Sequence, residues 1–127
     1  METGYIIVPS NPEYSLGINI FNNRNKLQIT GRTEEVNPIE PLKDKFNSFG
    51  LSTREIDGNS VHELNDVLSL TPFEKNKVNV IIANTIKGKG ISFMENEVVW
   101  HHKVPTEEQY NIALTELEQL KINIEND

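Results

Sequence analysis

Apolar positions along the chain change period several times, and each change marks an element. Tyr5 to Val8 and Ile18 to Phe21 are short β-rich runs set apart by Pro9, Asn11, Pro12 and Gly17, all turn formers, so two short strands are predicted. The polar stretch Asn22-Asn23-Arg24-Asn25-Lys26 then reads as loop. Beyond Pro38 and Pro41, Leu42, Phe46 and Phe49 fall on one helical face and Gly50 is placed to end the helix, predicted over about residues 39 to 49. Thr53 to Ile56 reads as a strand, and Asp57-Gly58-Asn59-Ser60 as the tight turn that leaves Asn59 or Ser60 to cap a second helix. Val61, Leu64, Val67 and Leu68 give that helix its 3.6-residue period. Val78 to Ala83 is apolar enough to be buried on both faces, as central parallel strands are. Thr85 to Pro105 has no clear period, and uninterrupted loops of that length in a compact domain are usually functional or disordered. Thr106, followed by Glu107, Glu108 and Gln109, starts a capping box for a last helix over residues 106 to 121. Tyr110, Ala113, Leu114, Leu117 and Leu120 lie on its inner face.

Strand, helix, strand, helix, strand is the order of an α/β fold, a parallel sheet with flanking helices and right-handed crossovers. Length sets the ceiling at one domain, since the chain has 127 residues. A net charge of -7 makes nucleic acid an unsuitable partner, because the global field repels phosphate backbones and anionic lipid alike. No apolar run approaches the length of a membrane span, and Met1-Glu2-Thr3-Gly4 has no basic start of the kind that precedes a signal segment. A cytoplasmic location is therefore expected, with no membrane partner. The absence of cysteine excludes disulfides, thiol nucleophiles and Cys-ligated zinc.

Three clusters carry possible chemistry: Asn22 to Gly31, Thr85 to Gly90 and Trp100 to Pro105. In an open parallel sheet such connections can gather at the carboxyl ends of the strands, where ligands bind. Taken alone, Asn25 is a turn residue in a chain with 16 asparagines, or else a neutral oxygen ligand for a hard cation such as Mg2+. Lys87-Gly88-Lys89-Gly90 is either a solvated turn or a flexible basic lip over phosphates, and lacks the spacing of a Walker loop. His101 and His102 are adjacent, so in extended backbone their rings diverge and paired metal ligation is disfavoured; one of them could serve a phosphate or carry a proton. Trp100 could simply anchor its loop.

Read as strings, these segments say more. Asn25-Lys26-Leu27-Gln28-Ile29-Thr30-Gly31 resembles the metal loop that closes the thiamine diphosphate motif of transketolases. Phe46 to Gly58 resembles the helix and strand that follow that loop, and Val80 to Glu95, with Trp100-His101 and Lys103-Val104-Pro105, is similar to the end of the same domain in enzymes split into two subunits. The likeness covers residues 18 to 121, leaving 1 to 17 unmatched and 122 to 127 as a tail. It implies a partial thiamine diphosphate-binding fold and, for the family, ketol transfer between sugar phosphates in the pentose phosphate pathway. By the same resemblance, Asn25 would give its side-chain oxygen and Leu27 its carbonyl to the Mg2+ or Ca2+ that holds the cofactor diphosphate. Ile29 would pack beside the cofactor, Lys87 would edge the cleft, and His101 would reach the diphosphate and the reacting centre as the catalytic residue.

Two departures qualify these expectations. Where the family has Gly after its histidine, this chain has His102, which should crowd the turn. No Gly-Asp-Gly occurs anywhere, so the anionic ligand that the family's Asp supplies is missing, along with the N-terminal half of the domain. The expected object is a fragment inactive alone, whose partner is a complementary transketolase subunit or a second copy. Two other readings stand beside it: a non-catalytic binding piece, and a generic phosphate-binding α/β module.

Overall fold

The structure, a computed structural model, describes residues 5–9 and 18–126. It divides into two compact units, Met1–Thr85 and Ile86–Asp127. In the first unit, strands β1 (Tyr5–Pro9) and β2 (Ile18–Arg24) lead into a small hairpin of β3 (Leu27–Gln28) and β4 (Gly31–Arg32). Helices α1 (Thr33–Val36) and α2 (Leu42–Ser48) follow, then β5 (Ser52–Asp57), α3 (Val61–Ser69) and β6 (Asn79–Asn84). The main sheet has the order β1-β2-β6-β5. Strands β2, β6 and β5 run parallel and β1 is antiparallel to β2. The expected α/β fold with a parallel sheet and flanking helices is thus present, and the strand foreseen at residues 78 to 83 lies at its centre as β6.

Centrality follows from composition. Val80, Ile81, Ile82 and Ala83 are all 2% exposed or less, so side chains on both faces of β6 are covered. Opposite residues of a parallel pair share a face, which puts Ile20 and Asn22 of β2 with Val80 and Ile82 of β6 and with Thr53 of β5. Gly58, just beyond β5, is required by this close approach: a Cβ there would lie 2.6 Å from Thr85 Cγ2 and 2.8 Å from Ala83 Cβ.

Several boundaries moved. Helix α2 spans Leu42–Ser48 rather than residues 39 to 49, because Pro41 holds extended backbone at its start and Phe49 has already left helical geometry at its end. Phe49 is consequently 79% exposed instead of packing with Leu42 and Phe46. Ser60 is the cap of α3, its Oγ accepting from the Glu63 N–H at 3.2 Å. Only Val67 on α3 is fully buried, and Val61 and Leu68 are exposed.

The stretch read as loop at residues 22 to 26 is strand as far as Arg24, and Asn22 is 1% exposed. Neither polar atom of the Asn22 amide has a hydrogen-bond partner, nor does the Thr53 hydroxyl on the same face. Asn79, equally buried, is fully engaged: its Nδ2 donates to the Glu74 and Lys77 carbonyls at 3.2 and 3.1 Å, and its Oδ1 accepts from the Glu74 N–H at 3.0 Å. Of the two amides that are 1% exposed, one is therefore compensated and one is not.

In the second unit, α4 (Glu107–Glu125) opens on the expected capping box, with Thr106 and Gln109 exchanging side-chain and backbone bonds at 3.1 and 3.2 Å. It runs to Glu125 because neither Gly nor Pro interrupts it after residue 121. Ala113 is buried, while Leu114, Leu117 and Leu120, expected on the inner face, each remain more than 40% exposed.

Two substitutions test the sheet. Asn22→Leu, close to isosteric, removes both unpartnered groups and is expected to stabilise the fold by about 1–3 kcal/mol. The readout is a higher urea midpoint at unchanged slope; a lowered midpoint would mean that the amide finds partners in solution. Ile82→Ala should destabilise by about 2–5 kcal/mol, as large-to-small changes in a packed core do.

Candidate functional site

Strand β2 ends where the first candidate cluster begins. Arg24 pairs in register with Asn84 at the end of β6, and the Thr85 N–H donates to the Arg24 carbonyl at 3.0 Å. Thr85 Oγ1 also donates to Asn23 Oδ1 at 2.6 Å, so the two strand ends are tied side by side. Asn25 then makes an Asx turn: its Oδ1 accepts from the Leu27 N–H at 3.0 Å, with Lys26 left-handed at φ 60° between them. The chain returns through the β3–β4 hairpin, and the Thr33 N–H closes onto the Lys26 carbonyl at 2.9 Å. Ile29, at the hairpin tip, is 51% exposed. Asn25 and Leu27 are thus brought together, on a constrained loop at the carboxyl end of a parallel strand.

Beside this loop lies a cleft of about 240 Å³, whose lining includes Asn25, Leu27, Glu34, Ile39 and Glu40. Arg24 stands in its wall, donating from Nη1 to Asn84 Oδ1 at 2.6 Å and forming an ion pair through Nη2 with Glu40. Burial alone would raise the Glu40 pKa, but the Leu42 N–H, the Arg24 guanidinium and the Lys26 charge outweigh it and hold the carboxyl below its ordinary 4.5. Glu34 is also occupied, its Oε1 accepting from the N–H groups of Ile39 and Glu40 at 3.0 and 3.3 Å.

Lys87 and His101 belong to the second unit. Residues 86 to 105 form a self-bonded loop in which the Lys87 carbonyl accepts from the Asn96 N–H at 2.9 Å and the Gly90 N–H donates to Glu95 Oε1 at 3.0 Å. Gly88 is needed at φ 73°, since a Cβ there would fall 2.5 Å from the Met94 carbonyl oxygen. Trp100 anchors the loop on itself: its Nε1 donates to the Phe93 carbonyl at 2.9 Å, and the two rings lie 5.4 Å apart. Ser92 fastens the loop to α4, donating from Oγ and N–H to Glu116 at 2.5 and 2.7 Å, and these two bonds lower the Glu116 pKa. His101 closes a short 3-10 turn, Val98–His101, and His102 follows at φ -128° and ψ -14°, a negative φ that does not require glycine. The two imidazoles meet edge to face at 4.3 Å.

No family model matches the chain. It is, however, 41% identical over 99 residues to 6-deoxy-6-sulfo-D-fructose transketolase subunit SqwG of a Clostridium strain, covering 78% of this chain and 36% of that protein. It is 43% identical over 99 residues to an apulose-4-phosphate transketolase subunit of Actinobacillus succinogenes, covering 77% of this chain and 35% of the relative. Transketolase-like protein 2 of Bos taurus is 35% identical over 100 residues, or 78% of this chain and 16% of that one. The chain belongs to the transketolase family. It spans little more than a third of the length of these bacterial transketolase subunits.

The donor set of this transketolase segment does not fit a bound divalent cation. Asn25 Oδ1 already serves the Leu27 amide, the two cleft carboxylates serve Arg24 and backbone N–H groups, and a guanidinium stands beside them. Among the described residues, no group of three or more His, Cys, Asp or Glu could hold a metal ion. Nor is any described helix long and apolar enough to cross a membrane. Pattern reading missed Arg24, Asn84 and Glu40. The alternation of Ile20, Asn22 and Arg24 is the signal that β2 continues as far as Arg24, and it says nothing of Asn84 or Glu40.

Glu40 gives the site a pH signature. Its pKa is lower folded than unfolded, so its stabilising contribution is complete above about 4.5 and is lost as pH falls through the folded value. The melting-temperature gap between the wild type and Glu40→Gln is therefore expected to hold steady at neutral pH and close under acid. A gap that widened with acid would contradict the assigned pairing.

Proposed function

We propose that this chain is part of a transketolase-like, thiamine diphosphate-dependent apparatus for ketol transfer between sugar phosphates, and that these 127 residues taken alone are inactive. One observation carries the reading: the Asn25–Leu27 turn sits at the carboxyl end of β2, tied to the end of β6, in a chain about two-fifths identical to two transketolase subunits. In such an apparatus the chain's own contributions would be the Asn25–Leu27 turn and the Ile29 side chain beside the cofactor, and Lys87 and His101 towards its diphosphate, with no ligand to Mg2+ or Ca2+ from the Arg24–Glu40 cleft. The carboxylate and the remaining strands would come from outside these 127 residues, and the relatives' names as subunits support a complementary subunit as partner. The segmentation into 1–17, 18–121 and 122–127 belongs to this same reading, as does a cytoplasmic setting.

The binding-piece alternative is favoured over independent catalysis by the donor set. Neutral oxygens alone hold Mg2+ poorly, since the ion gives up water reluctantly and usually takes one or two carboxylates along with substrate phosphates. One or two partly solvated cations such as Lys87 attract a diphosphate only modestly at physiological salt.

Calorimetric titration of the purified chain with thiamine diphosphate and Mg2+ is expected to show weak binding or none, and a coupled assay no ketol transfer. Micromolar binding abolished by both Asn25→Ala and His101→Ala, or turnover above a denatured control, would establish that the chain builds a complete site by itself.

A further inference from the structure

We infer that the Arg24 guanidinium occupies, with its own charge, the cationic position of the cleft beside Asn25, so that the folded chain excludes Mg2+ and Ca2+. The inference rests on the reading of Asn25 and Leu27 as the family's cation loop. Cleft chemistry would otherwise suit a hard cation, because its polar lining offers amide, carbonyl and carboxylate oxygens from Asn25, Leu27, Glu34 and Glu40. The three side chains in that set are already engaged. Glu40 receives the guanidinium and, through Oε2, the Leu42 N–H at 3.1 Å. Glu34 caps two backbone N–H groups, and Asn25 Oδ1 closes its own turn. Arg24 is the deeper member of the ion pair, its side chain 14% exposed against 34% for Glu40. The Asn84 amide oxygen holds its other arm at 2.6 Å.

Two physical consequences follow. A guanidinium cannot lose its proton in a protein, so no change of pH within the stable range vacates the position. A divalent cation drawn to Asn25 and Glu40 would have to break the charge-assisted pair and tolerate a like charge beside it in a partly desolvated cleft, where screening is weak. Oxygen ligands that could seat a cation are thus present but latent. Removing the guanidinium frees the Glu40 carboxylate next to Asn25 and Leu27 and converts the cleft into a divalent-cation site.

The test is a Mn2+ titration of the whole chain at neutral pH, followed by electron paramagnetic resonance, with no cofactor or sugar phosphate present. Wild type should bind no Mn2+ into the millimolar range. Arg24→Met, which keeps the apolar stem, and Arg24→Gln, which keeps a donor for Asn84, should each gain at least about tenfold in affinity. That gain should vanish when Glu40→Gln or Asn25→Ala is added. Cooperative melting identifies which Arg24 variant is folded, and absence of a gain in a folded variant overturns the inference. So does wild-type binding at tens of micromolar that Asn25→Ala abolishes. Such binding would leave the ketol-transfer reading intact, and inactivity in the ketol-transfer assay would leave the Mn2+ result intact.

Discussion

β6 has no solvent side: from Val80 to Ala83 its side chains on both faces are shut away from water, so both faces need a roof and both edges need a strand. Parallel strands buried in this way are held by neighbours on each edge, here β2 and β5, and those neighbours are reached only by crossovers, which is why helices flank the sheet. Everything placed at the carboxyl ends of β2 and β6 inherits its position from that pairing. The Asn25 turn, the Thr85 contacts and the Arg24 arm to Asn84 exist because residues some 60 positions apart are set in register.

The same sheet shows how differently one residue type can fare when buried. Asn79 turns back to satisfy the connection from Glu74 to Lys77, an arrangement that rigidifies the approach to β6. Asn22, equally buried, has no hydrogen-bond partner for either polar atom of its amide. Just above it on the same face of β2, Arg24 is answered twice. Polar groups on one strand therefore range from orphaned to twice paired within three residues, and the paired one sits where the candidate chemistry is. The cleft holds its charges against each other, which is a stable arrangement and a poor one for capturing a cation.

Within the second unit the long segment after β6 is a built object rather than a free lid. Gly88 permits its tight turn, Trp100 bonds across it to Phe93, and Glu116 on α4 grips Ser92 by two bonds. Its candidate residues Lys87 and His101 are consequently carried on defined backbone, although the sequence presents them in a stretch without periodicity.

Local chemistry was legible in the amino-acid order. The apolar run of β6, the Ser60 cap, the Thr106–Gln109 box and the Asn25-Lys26-Leu27 turn each depend on residues within a few positions of one another, where propensity and capping decide the outcome. Fold class followed from the order of those elements, and family membership from strings retained across the matched region. What the order could not contain was the fate of Asn22, Arg24, Asn84 and Glu40. A polar stretch reads as loop until a neighbouring strand is known to pair with it, and an arginine reads as solvated until a distant carboxylate is known to face it. Those facts are set by strand register and by which segments the crossovers bring together, and only the tertiary structure fixes them.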